Sequence, residues 1–525
     1  MAVVRRFDWV PAALAAAALG LGLTFRFWRI GSEPLWLDEA YSAFAADHGF
    51  AFLWRVVPHY ETHPPFFYAL VHVWRLLVGD GLLAGRLLGL LCGLATLWVG
   101  GIAASRLARL TRMRDEQRRW LVASMVVLLS LHPLTIEMSR QLRPYAVMIL
   151  VYTAALPAFL RLVEDSILRH APNRRALLVV FVAQALMLWL HSLGPLFAFA
   201  MALALLAAVL RPGLTRDDRL WLAVGEVVVG LVYLPAFLIL REQAPTWMAG
   251  SWLRFAPASL WVSVGQIYLD WNFWGRLVGL TAAVVGAVLL LGRIGGRRMA
   301  VILVLLATVP MALSLLVSLA IAPVFIDRTL SPTAIPALLL VSVGLAWPGR
   351  RAWAALVALA VIAGSMVGVD RILLARGALQ DWYGTIAWLA PHVGPNDRVW
   401  AYPNEGALPL AYALQDERRR LPVLQIPAPV PAFRSGGFFP SGSRGVVSLH
   451  PGQIAALMTA EAAKAPPTIW LLRLNAEIYD PGNPMLHALE QDRTVIAHLR
   501  RGPIDVIGLR RRDLTSVAAA EQAQP

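Results

Sequence analysis

The chain has 525 residues, of which 58% are hydrophobic and only 15% are charged. This composition excludes an ordinary soluble globular protein and is typical of a polytopic membrane protein. The net charge of +15 does not predict a nucleic-acid partner, because the basic residues are spread over short loops between apolar segments. Cys92 is the only cysteine, which excludes an internal disulfide and a thiolate metal cluster.

Long apolar segments recur from Trp9 to about Val369 and predict about eleven transmembrane helices. We therefore expect residues 1–370 to form an all-α transmembrane domain whose first outer loop covers about residues 31–80. The predicted spans are residues 9–27, 82–104, 120–136, 145–160, 176–193, 195–210, 220–240, 275–291, 299–321, 332–347 and 352–369.

The distribution of arginine predicts how the chain is oriented. Basic residues accumulate in the short cytoplasmic loops of membrane proteins. An N-terminus in the cytoplasm places the arginine-rich loops on that side, namely Arg5, Arg6, 106–119, 161–175, 211–219, 293–298 and 350–351. The sequence thus predicts a multi-pass membrane protein with its N-terminus in the cytoplasm and residues 371–525 on the extracytoplasmic side.

Residues 63–80 are apolar enough to suggest another span. A span here would invert the orientation of every later segment and place the arginines of 106–119 outside. We therefore predict that these residues form a helix at the outer membrane interface, and that it begins at the pair Pro64-Pro65.

The first outer loop contains several charged residues close to the membrane. Asp38 and Glu39 follow an apolar tripeptide, and Glu61 and His63 precede the proline pair. Asp38 has two compatible interpretations, as the N-cap of a short amphipathic helix or as a catalytic base. A carboxylate pair beside the membrane is costly unless it is paired or used. His63 is either an interfacial polar residue or part of a site.

A second group of polar residues is predicted on the same side of the membrane. Glu137, Arg140, Arg143 and Tyr145 follow the third span, and His191 lies at the outer end of the fifth. Arginines on the outer side depart from the usual charge distribution, so they are either paired with carboxylates or bind an anion. A guanidinium matches the geometry of a phosphate group. His191 is either an ordinary helix-end residue or a functional one.

Several segments of the chain, taken in order, resemble segments of bacterial GT-C glycosyltransferases. The matching segments are WLDEAYSA, THPPFFYALVHVW, SRQLRPYAV, the span ending in His191, and Arg328 with Pro332. The group they resemble is the dolichyl-phosphate-mannose–protein mannosyltransferase-like superfamily, which includes the lipid A aminoarabinose transferases. The resemblance covers roughly residues 1–370. It implies transfer of a sugar from a polyprenyl-phosphate donor to a glycan, lipid or protein acceptor on the extracytoplasmic side.

The resemblance also implies roles for individual residues. Asp38 corresponds to the acidic residue of the family's first outer loop and is expected to act as general base, with Glu39 beside it. Attack from one face of the sugar predicts inversion. Arg143, Arg140 and Arg328 are expected to bind the donor phosphate and stabilise its developing charge.

This sequence departs from the family pattern at two positions. Thr329 follows Arg328 where the family usually has tyrosine, and His63 stands where many aminoarabinose-type relatives have lysine. The sequence identifies no cofactor; a divalent metal could bridge a carboxylate and the phosphate, and the residues neither demand nor exclude it. The remaining candidates for the substrate site are His63, Tyr145, Glu61, His191 and Glu137.

Residues 371–525 regain charge and proline and predict a small α/β domain. Strands are expected at residues 398–402 and 468–472 and near Val495 and Val506, with a helix at 407–414. The domain has no glycine-rich nucleotide motif and no metal-ligand spacing. We expect it to cover the membrane cavity or to help bind the acceptor.

Two other functions are compatible with a polytopic chain of this kind. A transporter or flippase of lipid-linked sugars also gathers charge in the membrane, but such proteins tend to contain internal repeats and interrupted spans. No internal repeat is evident here. A polysaccharide polymerase or ligase is the other alternative.

Overall fold

A computed structural model describes residues 9–61, 63–168, 170–211, 214–249, 255–257, 260–269, 272–347, 352–430, 449, 451–462 and 465–512. Arg5 and Arg6 lie outside these residues. The chain forms two compact units. The helical unit comprises Met1–Ile30, His63–Leu240 and Leu253–Arg376. The mixed unit comprises Gly31–Thr62, Arg241–Trp252 and Gly377–Pro525. The first part of the predicted outer loop thus belongs to the same unit as the C-terminal residues.

Helices account for most of the described chain up to residue 376. In chain order they are α1 (Val10–Phe27), α2 (Leu37–Asp47), α3 (Phe50–Arg55), α4 (Phe66–Val78), α5 (Leu82–Leu110), α6 (Asp115–Leu131), α7 (Pro133–Ser139), α8 (Tyr145–Leu168), α9 (Arg174–Leu190), α10 (Gly194–Val209), α11 (Arg216–Ala249), α12 (Leu260–Tyr268), α13 (Phe273–Leu291), α14 (Gly296–Ala320), α15 (Asp327–Leu330), α16 (Ala334–Gly344) and α17 (Ala352–Ala375).

The apolar helices confirm a polytopic membrane protein, but the predicted number of eleven spans is not confirmed. Among the described residues, seven helices are long and apolar enough to cross a membrane, or eight if α6 and α7 count as one bent span. Helices α9, α10 and α16 coincide with predicted spans but contain 17, 16 and 11 residues. They fall short of the ~20 residues that a straight span needs. Helix α4 begins directly after the proline pair, as predicted.

The bend between α6 and α7 has a clear physical cause. The two helices meet at an angle of 58° at His132-Pro133. Proline lacks the N–H that would continue the helix, so backbone carbonyls before it lose their usual donors. The buried Arg26 of α1 donates hydrogen bonds to the carbonyl oxygens of Ser130 (2.6 Å) and Leu129 (3.1 Å). A guanidinium from a neighbouring helix thus satisfies the carbonyls that the break exposes.

Glycines allow the closest approaches between helices. A Cβ at Gly22 of α1 would overlap the carbonyl oxygen of Ser130 in α6. Helices α13 and α16 approach equally closely, since a Cβ at Gly286 would overlap the carbonyl oxygen of Leu340. Small residues of this kind let membrane helices pack backbone to backbone.

The mixed unit contains one five-stranded sheet, as expected of an α/β domain. Its remaining helices and its strands are α18 (Trp382–Leu389), β1 (Arg398–Ala401), α19 (Ala407–Asp416), β2 (Val423–Gln425), α20 (Pro451–Ala462), β3 (Thr468–Leu474), α21 (Ala476–Tyr479), α22 (Pro484–Glu490), β4 (Arg493–Arg501) and β5 (Ile504–Arg511). The strand order is β2-β1-β3-β5-β4. The first three strands are parallel neighbours, whereas β3, β5 and β4 pair antiparallel. Strand β2 was not predicted from the sequence.

Helix α2 is part of the hydrophobic core of the mixed unit. Leu37 and Tyr41 of this helix pack in one buried cluster with Trp382, Ile386 and Leu410. Burying such side chains supplies the main force that fixes a helix on a domain. The helix that contains Asp38 is therefore integrated into the α/β domain, although more than 330 residues of sequence separate the two.

Candidate functional site

Asp38 lies in the first turn of α2 rather than at its cap. The helix begins at Leu37, and its N-cap residue is Trp36, whose side chain makes no capping hydrogen bond. The predicted N-cap role of Asp38 is therefore wrong. The first turn still suits a carboxylate, because the helix dipole places partial positive charge there.

Side chains of the C-terminal domain hold the start of α2 in place. The backbone N–H of Leu37 donates to Oε1 of Gln380 (3.0 Å), which also accepts from Nε1 of Trp382 (3.0 Å). The Tyr41 hydroxyl donates to Oε1 of Glu405 (3.1 Å). Gln380 thus takes the place of the missing N-cap side chain. The sequence carries no local signal for these contacts.

The three predicted acidic residues of the mixed unit differ in exposure. Glu39 and Glu61 are 0% and 3% exposed, whereas Asp38 is partly exposed. A general base must come within hydrogen-bond reach of the proton that it removes. Of the three carboxylates, Asp38 is the one best suited to that role.

In the helical unit, four predicted residues from separate parts of the chain lie together. The rings of His63 and His191 have centroids 4.1 Å apart, and the Tyr145 ring lies 5.8 Å from His191. The Arg143 guanidinium lies over the Tyr145 ring at 5.9 Å. His63 Nδ1 is within hydrogen-bond distance of Ser192 Oγ (3.1 Å). The sequence analysis missed Ser192, although it directly follows a predicted residue.

Arg328 connects this group to a second one in the same unit. The Glu137 carboxyl interacts electrostatically with the guanidiniums of Arg328 and Arg140 and with the carboxyl of Asp327. Arg328 also acts on His191. Its backbone N–H donates to Oδ1 of Asp327 (2.7 Å). Direct contacts thus join His63, His191, Tyr145 and Arg143, whereas Glu137, Arg140 and Arg328 are linked to one another through their charges.

These side chains lie where helices begin or end. His63 precedes α4, His191 lies between α9 and α10, and Arg328 belongs to the short helix α15. Arg143 and Tyr145 lie where the chain passes from α7 into α8. Residues at such connections carry function in many proteins, because the rigid helices behind them fix their positions.

The described residues offer no cluster suited to a metal ion. No group of three or more His, Cys, Asp and Glu side chains among them has the arrangement that a metal requires. The open question of a divalent metal therefore gains no support from the described geometry, and we derive no chemical step through one.

Comparison with known proteins identifies the fold. No protein-family model and no curated protein sequence matches the chain. Among solved structures, ArnT from Cupriavidus metallidurans in the apo state is similar, with 13% identity over 95% of this chain and 98% of ArnT and a TM-score of 0.56. The Archaeoglobus fulgidus oligosaccharyltransferase in the apo form has 13% identity over 90% of this chain and 70% of its own, with a TM-score of 0.51. The chain therefore has the GT-C glycosyltransferase fold, as the order of its motifs predicted.

Proposed function

We propose that the protein is a membrane glycosyltransferase that moves a sugar from a polyprenyl-phosphate donor to an extracytoplasmic acceptor. A fold alone does not determine function, so the proposal depends on the site. The observation that carries it is one close group of side chains: the His63 and Tyr145 rings lie 4.1 and 5.8 Å from the His191 ring, and the Arg143 guanidinium lies 5.9 Å from the Tyr145 ring. A guanidinium beside hydrogen-bonding rings suits the phosphate of a lipid-linked sugar.

The proposed reaction is a single displacement at the anomeric carbon. Asp38 accepts the proton of the acceptor hydroxyl while its oxygen attacks that carbon. The bond between the carbon and the phosphate oxygen breaks, and the electron pair leaves with the polyprenyl phosphate. The transition state has oxocarbenium character, as in other glycosyl transfers. Attack from the face opposite the leaving phosphate inverts the configuration of the sugar.

The leaving group explains why one carboxylate suffices. A phosphate diester becomes a monoester and needs no proton on departure. Arg143 and Arg328, with Arg140, stabilise the charge that develops on the phosphate oxygens. Glu39 and Glu61 remain predicted site residues, and their burial favours a supporting role over direct proton transfer.

A structure of ArnT bound to undecaprenyl phosphate is among the similar ones, with 14% identity over 96% of this chain and 98% of ArnT and a TM-score of 0.50. We infer a donor of the same class for this chain. We also assign the protein to the bacterial cytoplasmic membrane, with its N-terminus in the cytoplasm and its C-terminal domain outside. That placement puts the site on the side where lipid-linked rather than nucleotide-linked sugars are available.

Lipid mass spectrometry of the source bacterium tests the proposal. A deletion strain is rescued with the wild type, with Asp38→Asn, or with Asp80→Asn as a matched control at an exposed aspartate. We expect one polyprenyl-phosphate sugar to accumulate in the deletion strain and in the Asp38→Asn rescue only. Full rescue by a well-expressed Asp38→Asn protein would contradict the assignment of the base.

A reconstituted system separates the transferase from its rivals. Purified protein in vesicles is supplied with the accumulated lipid and with cell-envelope acceptors. A transferase releases polyprenyl phosphate and forms a glycosylated product. Movement of the intact lipid across the bilayer without a product would indicate a transporter or flippase, and joining of whole glycan chains would indicate a polymerase or ligase.

A further inference from the structure

A polar cleft opens in the helical unit between the last turns of α5 and α8. It encloses about 400 Å³ and is lined by Arg106, Arg109 and Leu110 of α5 and by Leu160, Arg161 and Glu164 of α8. We call this cavity the helix-end cleft. Both helices reach it after a long apolar stretch. The cleft therefore lies where the hydrocarbon interior of the membrane meets the headgroups and water.

Two arginines of the helix-end cleft are available to a ligand. Arg106 and Arg109 are both exposed, and among the described residues neither side chain has a hydrogen-bond or ion-pair partner. They are three residues apart on one helix, so they share a face, with Cβ atoms about 5–6 Å apart. A guanidinium keeps its charge at every relevant pH and carries several donors. The pair thus presents two permanent positive charges with unused donors.

The third arginine of the cleft is already held by carboxylates. Arg161 donates from Nη1 to Glu164 Oε2 (3.1 Å), and its Nε lies 2.9 Å from Asp165 Oδ2. The Arg161 side chain is 36% exposed, whereas that of Asp165 is 2% exposed. These two carboxylates fix the guanidinium and balance much of its charge. They leave Arg106 and Arg109 unbalanced, so the cleft keeps an excess of positive charge.

The end of α5 does not cancel this positive charge. The C-terminus of a helix carries partial negative charge, which by itself would repel an anion. The Arg293 guanidinium donates from Nη1 to the carbonyl oxygen of Thr111 (3.3 Å), the residue directly after α5. A cation at this position opposes the helix dipole. Arg293 therefore offsets the one local feature of α5 that disfavours an anion.

The chemistry of the lining selects one class of ligand. A cation is excluded by the excess of positive charge, and two guanidiniums on one helix face match the oxygens of a phosphate group. Leu110 and Leu160 add apolar walls, which suit a phosphate that is attached to hydrocarbon chains. Basic pockets between membrane helices bind the headgroups of anionic lipids in this way. We propose that the helix-end cleft binds the phosphate of an anionic phospholipid through Arg106 and Arg109.

The lipid proposed here is not the sugar donor. Tyr145 of the candidate site begins α8, and Arg161 lies 16 residues further along the same helix. At 1.5 Å per residue the two are roughly 24 Å apart. In the proposed orientation the cleft faces the cytoplasmic leaflet, on the side opposite the candidate site. Binding of this lipid goes beyond the proposed transfer reaction and does not depend on it.

Native mass spectrometry of the full-length protein tests the proposal. Delipidated protein in detergent is titrated with phosphatidylglycerol, with zwitterionic phosphatidylcholine, and with glycerol 3-phosphate, which has the phosphate without the chains. The wild type is compared with the double variant Arg106→Gln/Arg109→Gln and with Arg106→Lys/Arg109→Lys, which keeps both charges. The matched control is Arg175→Gln/Arg297→Gln. It removes two exposed arginines that do not line the cleft.

We expect the wild type and the control to retain one phosphatidylglycerol per chain with the same Kd. The glutamine variant should bind it about tenfold more weakly or worse, and the lysine variant should lose less. Equal binding by the wild type and a glutamine variant of unchanged melting temperature would overturn the proposal. Two results on the wild type alone would also overturn it, whether or not the variants fold. Phosphatidylcholine that binds as tightly would show that charge is not selected, and glycerol 3-phosphate that binds as tightly would show a site for a soluble phosphate compound.

Discussion

Gln380 offers the sharpest test of how the C-terminal domain supports the proposed catalytic residue. Its Oε1 accepts the first N–H of α2 and the indole N–H of Trp382, both at 3.0 Å. Gln380→Met keeps a side chain of similar length but removes the acceptor. Two buried donors then lose their partner. Because Asp38 is the next residue after Leu37, the change alters the position of the proposed base without touching it.

The structure sets the size of the expected effect. Gln380, Leu37 and Trp382 are 6%, 7% and 0% exposed, so water cannot replace the lost acceptor. An unsatisfied buried donor costs about 1–3 kcal/mol, and two such donors cost about 2–6 kcal/mol. Gln380→Glu retains an oxygen at the same place and should recover most of the loss.

The assay combines thermal unfolding of the full-length protein with the rate of sugar transfer. We expect Gln380→Met to lower both the melting temperature and the turnover number, with little change in the KM for the donor, whose proposed phosphate ligands belong to the helical unit. Gln415→Met is the matched control, because Gln415 is exposed. Equal behaviour of Gln380→Met and Gln415→Met would refute the reasoning. If Gln380→Met lowers stability and Gln380→Glu does not restore the turnover number, Gln380 has only a structural role.

Two further predictions concern the helical unit. Gly22→Ala should lower thermal stability, because its Cβ would overlap the Ser130 carbonyl, whereas Gly20→Ala on the same helix meets nothing within 4 Å and should be neutral or slightly stabilising. Equal melting temperatures for the two variants would contradict this. Arg26→Met removes the donors to the Ser130 and Leu129 carbonyls and should cost about 2–4 kcal/mol. Arg26→Lys keeps one charged donor group and should lose less stability. A melting temperature of Arg26→Met equal to that of the wild type would contradict the prediction and show that another group satisfies these carbonyls.

The sequence by itself indicated the class of the protein and the candidate residues of its site. Apolar segments long enough to span a bilayer predict membrane helices without any tertiary information, because the hydrocarbon core imposes length and polarity on each segment separately. The same reasoning identified Arg140 and Arg143 as out of place on the outer side of the membrane, while His63, His191 and Arg328 were candidates from their positions and from the family resemblance. The structure places the His63 ring against His191 and the Arg143 guanidinium over Tyr145.

The number of spans was less predictable for a related reason. Hydropathy measures the apolar length of a segment but does not show where a helix breaks. The bend at His132-Pro133 depends on a donor from Arg26, which comes from a different helix. The sequence of α6 and α7 alone contains the proline but not the guanidinium that satisfies the backbone carbonyls at the break.

Only the tertiary structure decided what holds Asp38. Sequence reasoning placed this residue at a helix cap in an outer loop of the membrane domain. The fold instead builds its helix into the core of the α/β domain through Leu37 and Tyr41 and caps it with Gln380. Hydrogen bonds and apolar contacts between segments hundreds of residues apart cannot be recognised from the hydrophobic pattern of either segment. For that reason the sequence names only candidate residues, while the contacts that hold the helix of Asp38 become visible only in the folded chain.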